Sequence, residues 1–341
     1  MGGLASAVQD VSAERRKGAI VPAFKNQTAT KLAKSALALP NVLFATDFSA
    51  ACNNAWWHAL AVAKHYQSKL FVVHVISPLV YRSVPPELLA EAQKRTRLEA
   101  TAQMARLQRR QGGTPGLESE AVLREGDVAD SFLSLVSEYN IDLLVVATRG
   151  HRHLKRLLLG SVAEKLFRQA SCPVLVVPLQ ARRSSDRVLG IRRIVCPTDF
   201  SPASSAALAF AILLARDYEA QLILVHIVEG AEINSVEDMH QVRKSTEGRL
   251  RQLLPARHDL AFEPLLEVAF GAPTEGISRI AAEYQSDLVV IGVHSASPRQ
   301  AHEYERTAYR VIRWSQCPVA TILDSTRKKA IAGGEHNAAL A

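Results

Sequence analysis

Ala45-Thr46-Asp47-Phe48-Ser49 follows the apolar run Val42-Leu43-Phe44, and Pro197-Thr198-Asp199-Phe200-Ser201 follows Ile194-Val195-Cys196 in the same way, 152 residues later. A second phrase also recurs: Ser171-Cys172-Pro173-Val174 returns as Gln316-Cys317-Pro318-Val319 after 145 residues. The chain is therefore an internal duplication whose second copy is slightly shorter. A repeat of this length is far longer than the ~20–50-residue periods of solenoids, so each copy is expected to be a whole domain with its own core.

Outward from these phrases, strand and helix signals alternate. In copy one, short apolar runs of the kind a doubly covered parallel strand needs lie at 42–46, 69–76, 119–124, 142–147 and 173–177. Between them lie helical stretches from Ser49, from Pro86 to Arg110, at 128–139 and at 161–169. Copy two repeats the order, with strands at 193–196, 221–228, 263–268, 287–291 and 319–323 and helices at 202–218, 237–254, 273–284 and 302–314. Such alternation predicts an α/β fold: two tandem doubly wound domains, each a five-stranded parallel sheet flanked by helices. We place a disordered basic tail at 1–38, domain one at 39–181, a linker at 182–188, domain two at 189–326 and a second tail at 327–341. The last strands, 174–177 and 319–323, are apolar edges, and we expect them to join the copies as an intrachain pseudo-dimer, with a homodimer left open.

At 341 residues, 48% apolar and 22% charged, the composition is that of a globular protein of two ordinary domains. No run approaches the ~18 apolar residues of a membrane span, and the N-terminus shows no signal-peptide pattern, so the expected place is the cytoplasm and no membrane partner is expected. Much of the net charge of +8 sits in the tails, at Arg15, Arg16, Lys17, Lys25, Lys31, Lys34, Arg327, Lys328 and Lys329. We read these as solvated and not as a nucleic-acid surface, since no zinc-finger spacing or RNA-binding aromatic signature accompanies them. Cys52, Cys172, Cys196 and Cys317 form no CxxC pair and read as buried thiols; His151 and His153 have no ligand partners at metal spacing. His74 and His226 recur within the second strand and read as hydrogen-bonded structural groups.

A parallel sheet binds ligands where its strand order reverses, expected here between strands one and four. Two loops converge there. One carries Asp47. The other runs Thr148-Arg149-Gly150-His151-Arg152-His153-Leu154-Lys155-Arg156-Leu157-Leu158-Leu159-Gly160-Ser161. Gly150 lets backbone approach a ligand, Gly160 and Ser161 open a helix whose free N–H groups favour phosphate, and Arg149, Arg152, Lys155 and Arg156 lie between.

With these features the chain resembles the universal stress protein family in tandem form, over about residues 39–180 and 189–325. ATP-binding members of that family carry Gly, two residues, Gly, nine residues, Gly and then Ser or Thr. Here Ala147 stands at the first glycine, and Gly150, Gly160 and Ser161 match the rest. The resemblance implies an adenine nucleotide-binding fold like that of the adenine nucleotide alpha-hydrolases and a stress-response or signalling role. It implies ATP as the ligand, with a dinucleotide, a cyclic nucleotide and Mg left open. The implied contacts are Ala45, Thr46, Asp47 and Val75 on the nucleoside side and Ala147, Arg149, Gly150, Gly160, Ser161 and Val162 around the phosphates. Ala147 is expected to restrict the loop's backbone, and Gly160 to have little room above it. Copy two departs: Gly292 fills the first glycine position, but Ser295, Glu305 and Arg306 replace the others, and a carboxylate at the helix start repels phosphate. Two rival readings remain, a hydrolase or transferase of the same fold and a scaffold that binds no nucleotide. No Walker A, HxGH-like or nucleophile-elbow sequence favours an enzyme.

Overall fold

The computed structural model describes residues 37–109, 116–148, 160–181, 190–230, 235–255, 259–293 and 301–324, the side chains of the last stretch from 307 onward. Copy one runs β1 (Asn41–Ala45), α1 (Ala50–Tyr66), β2 (Lys69–Ile76), α2 (Leu89–Arg109), β3 (Ser119–Glu125), α3 (Val128–Glu138), β4 (Leu143–Ala147), α4 (Ser161–Gln169) and β5 (Val174–Val177). Copy two runs β6 (Arg193–Pro197), α5 (Pro202–Asp217), β7 (Gln221–Val228), α6 (Val236–Leu253), β8 (Leu265–Phe270), α7 (Pro273–Glu283), β9 (Leu288–Val293), α8 (Ala301–Trp314) and β10 (Val319–Leu323).

Two boundaries differ from the sequence reading for local reasons. Pro86–Leu88 form a 3-10 turn before α2. β8 begins two residues later than expected because Pro264 has no N–H to give a ladder. The chain is also packed earlier than Asn41. Leu37 and Leu39 are buried, and the Leu37 amide donates to Asp217 Oδ2 at 3.2 Å. Leu37 thus packs on the domain from within the segment expected as tail; residues 1–36, 182–189 and 325–341, which hold the rest of the expected tails and the linker, lie outside the described residues.

All ten strands form one sheet in the order β3-β2-β1-β4-β5-β10-β9-β6-β7-β8. Within each copy the pairs are parallel. At the junction β5 and β10 run antiparallel, with Val319 opposite Val176 and Thr321 opposite Val174. Side-chain alternation sorts the core into two layers. Val42 and Phe44 face Trp56 of α1 on one side; Leu43 faces Leu166 and Phe167 of α4 on the other. Both layers continue through β5 and β10 into copy two, so the expectation of a separate core in each copy is corrected.

Helix ends on this junction carry a polar cluster at equivalent positions of the two copies. Tyr66 Oη donates to Asp217 Oδ2 at 3.1 Å, and His65 stacks on Tyr218 with 4.1 Å between centroids. Burial drives the Tyr66 and Tyr218 hydroxyls to remain protonated and holds the His65 pKa below its usual 6.5. A cavity of about 810 Å³ lies nearby, lined by residues of both copies including Tyr66, Leu175, Phe210 and Tyr218. Among the described residues no helix is long and apolar enough to cross a membrane.

Candidate functional site

In copy one the order of strands reverses between β1 and β4, and the first loop leaves at that point. Thr46 still belongs to the ladder, its amide donating to Val73 O at 2.9 Å. The next three residues turn the chain sharply. The Phe48 amide donates to Thr46 Oγ1 at 3.0 Å, the Ser49 amide donates to Asp47 Oδ1 at 3.0 Å, and Phe48 takes φ 64°. A bulky residue in the left-handed region stores strain, which its surroundings must hold. Here the Phe48 ring packs on His74, 4.5 Å between centroids. His74 Nδ1 lies 2.8 Å from Thr46 O, and a carbonyl only accepts, so this nitrogen carries the proton. Burial lowers the His74 pKa, only partly offset by that carbonyl and by Asp47, which keeps the ring neutral near pH 7.

Helix α1 is capped by Ser49, whose side chain accepts from the Cys52 amide. Asp47 is therefore not the cap. Its Oδ1 instead accepts from the Cys52 thiol as well, at 3.1 Å. Burial and the adjacent Asp47 carboxylate push the Cys52 pKa up to about 12, so the thiol stays a donor. Sequence reasoning missed Phe48 and Cys52. The recurrence of Phe at 48 and 200 was the available signal for the first; none marked the second.

Across the crevice, Phe44 pairs with Val145, which brings Thr46 and Ala147, each two residues further on, to the same rim. Val75 extends past the end of β1 on β2 and is buried with Ala45 on one face of the sheet. The Gly160 amide donates to Thr148 O at 2.8 Å, tying the start of α4 to the end of β4. Gly160 is the N-cap of α4 and supplies no side chain to it. Among the described residues the first-turn amides of Ser161, Val162 and Ala163 have no side-chain cap, as at Ala272 before α7, whereas Ser49, Asp127, Ser201 and Ser235 cap their helices. The positive end of the helix dipole adds to them. Eight of the ten expected site residues share this rim: Ala45, Thr46, Asp47, Val75, Ala147, Gly160, Ser161 and Val162. Arg149 and Gly150 lie outside the described residues, as do Arg152, His151, His153, Lys155 and Arg156.

One expectation about the glycines is corrected. Among the described residues a Cβ on Gly160 would meet only Thr148 O, at an ordinary 3.5 Å, and the adjoining residues 149–159 lie outside them. Ala147 lies in β4 opposite Val177, in a regular strand that asks for no glycine. Its counterpart Gly292 does need to be glycine, because a Cβ there would come within 2.4 Å of the Ala203 backbone at the start of α5. The first glycine position sets how closely the first helix approaches the fourth strand.

Copy two keeps the first loop. Thr198 Oγ1 accepts from Phe200 N at 3.0 Å, Asp199 Oδ1 from Ser201 N at 2.9 Å, His226 Nδ1 lies 2.8 Å from Thr198 O, and Phe200 has φ 64°. Ser204 stands where copy one has Cys52 and pairs with Thr198 Oγ1 instead of the aspartate. The crevice above opens into a cavity of about 940 Å³ that includes Thr198, Asp199, His226 and Gly292. Ser295 lies outside the described residues; Glu305 and Arg306 fall within α8. All four cysteines are free and buried, and among the described residues no cluster of metal-ligating side chains is present.

The sequence model described as the universal stress protein family matches residues 39–178 and again 190–322. The chain belongs to the universal stress protein family. A universal stress protein of Methanocaldococcus jannaschii is 29% identical over 140 residues, 40% of this chain and 80% of that protein. One of Thermus aquaticus is 34% identical over 137 residues, 40% of this chain and 96% of that protein. The crystal structure of a universal stress protein from Archaeoglobus fulgidus superposes with a TM-score of 0.61 at 19% identity, covering 85% of this chain and 99% of that one, which shows a shared fold.

Proposed function

We propose that this universal stress protein binds ATP or a related adenine nucleotide in copy one and that copy two is a partner with a degenerate phosphate loop, the whole forming an intrachain pseudo-dimer for stress response or signalling. The observation that carries the reading is the start of α4: among the described residues its N-terminus has no side-chain cap, and Gly160 ties it to the end of β4, the strand beside β1, after which the Asp47 carboxylate is held in place. Phosphate groups fit the first, as acceptors for the amides of Ser161, Val162 and Ala163. Hydroxyl donors of a nucleoside fit the second, with Ala45, Thr46, Val75 and Ala147 as walls and Arg149 and Gly150 contributed by the loop. Binding without turnover is the role proposed. The nearest thiol, Cys52, stays protonated and His74 is tied to Thr46 O, so neither stands ready as nucleophile or base.

Mass spectrometry of small molecules released from freshly isolated full-length protein tests this. The expected result is an adenine nucleotide at no more than one equivalent per chain, unchanged on prolonged incubation. Protein that carries no nucleotide and takes none up on addition of ATP would overturn the reading.

A further inference from the structure

Copy two carries a pair of arginines whose counterparts in copy one are neutralised. On α4, Lys165 Nζ lies 2.6 Å from Asp130 and 3.9 Å from Asp127, and Arg168 lies 3.3 Å from Glu164. The 145-residue offset places Arg310 and Arg313 at these two positions on α8, but Ala272 and Tyr309 where Asp127 and Glu164 stand. Of the three carboxylates only one persists, as Glu275. Among the described residues neither Arg310 nor Arg313 makes an ion pair. Residues three apart on a helix share a face, and both arginines line the 940 Å³ cavity together with Ser278 of α7 and Thr307 of α8.

Among the described residues two polar atoms of that lining are buried without a hydrogen-bond partner: Arg313 Nε and Ser278 Oγ. The first only donates, and the second has a hydroxyl hydrogen to give. Both therefore have hydrogens to give to an acceptor placed between α7 and α8. Guanidinium groups select planar or tetrahedral oxyanions, to which they give two parallel hydrogen bonds. The Arg313 guanidinium also lies 5.2 Å from the Trp314 ring, which is half exposed and offers an apolar ledge beside it. The remaining charges of the lining, Glu275, Glu229 and Asp199, are acidic. They oppose a ligand of high negative charge and suit hydroxyl or amino groups away from the oxyanion.

We propose that the groove between α7 and α8 in copy two binds a small organic oxyanion, a carboxylate or phosphate monoester, through Arg310, Arg313 and Ser278. This site lies along the length of α8 and does not depend on nucleotide binding in copy one. Calorimetry on the full-length protein at fixed ionic strength, with malate and with glycerol phosphate as separate probes, tests it. One saturable site per chain is expected for at least one probe, and which probe binds distinguishes carboxylate from phosphate. Arg313→Gln and Arg310→Gln should each weaken binding by about tenfold. Arg310 is exposed, so its variant tests the site without disturbing the core. Glu275→Gln should tighten binding, and Gly160→Glu in copy one should leave it unchanged. Absence of saturable binding into the millimolar range for both probes would overturn the proposal. So would wild-type affinity in both arginine variants, or loss of binding in Gly160→Glu.

Discussion

In copy one, the strained turn after β1 and the bare start of α4 stand on either side of one crevice. Copy two holds the same turn with the same hydrogen bonds and the same φ of 64° at its phenylalanine, yet its last helix carries Glu305 and Arg306 where copy one has Gly160 and Ser161. The turn is held by the fold, because Thr, Asp and His satisfy backbone groups at the end of a buried strand through part-buried hydrogen bonds, the Asp199 bond of copy two alone being exposed. Among the described residues packing does not require Gly160, since a Cβ there meets only Thr148 O at an ordinary distance. Under the function proposed above, Gly160 is kept for the nucleotide and not for packing. The same contrast runs in reverse at the end of the fourth strand, where packing requires Gly292 but copy one has room for Ala147.

The largest effect is expected at that last pair. Gly292→Val drives a side chain into the Ala203 backbone and should cost about 3 kcal/mol in denaturant unfolding, whereas Ala147→Gly should cost less than about 1 kcal/mol. Equal costs would mean that the two helices approach their strands alike. The junction comes next. Asp217 accepts from Tyr66 and from the Leu37 amide, and its counterpart in copy one is His65. Asp217→Ala should lower stability by about 1–3 kcal/mol, because it leaves a buried phenol without its acceptor. Urea titration followed by circular dichroism measures this, and an unchanged midpoint would show that the cluster contributes nothing.

The smallest effect concerns pH. Unfolded His74 takes up a proton near its ordinary 6.5, while burial holds the folded pKa lower. Stability from this group is therefore present above 6.5 and declines as pH falls through 6.5 towards the folded pKa. His74→Asn, which can still donate to Thr46 O, should flatten the acid side of the stability profile relative to wild type. A profile of the same slope in both proteins would assign the acid sensitivity elsewhere, with His65, whose pKa is shifted the same way, the next group to replace.

Much of the fold was legible because doubly covered parallel strands are short apolar runs and helices here open on Ser or Pro. Ser49, Ser201, Pro202 and Pro273 all mark the starts found. The Leu37–Leu39 alternation was legible too, but a basic context hid it. The merging of two cores into one was not, since an apolar edge strand names no partner. At the site, the glycine spacing, read with the duplicated strand and helix order and the family resemblance, marked Gly160 and Ser161 as the helix start that α4 has. It misread Ala147, because the constraint on the matching Gly292 comes from the α5 backbone, far away in sequence. The left-handed Phe48 was hidden for the same kind of reason: the contact that holds it is His74, on another strand.

Calorimetric titration of ATP into wild type, Gly160→Glu and Asp199→Asn tests the asymmetry between the copies most directly. Wild type and Asp199→Asn should bind one ATP per chain with equal affinity, and Gly160→Glu should bind at least about tenfold more weakly, through repulsion and lost charge-assisted hydrogen bonds at the start of α4. Undiminished binding by Gly160→Glu, with loss on Asp199→Asn, would place the nucleotide in copy two and contradict the assignment.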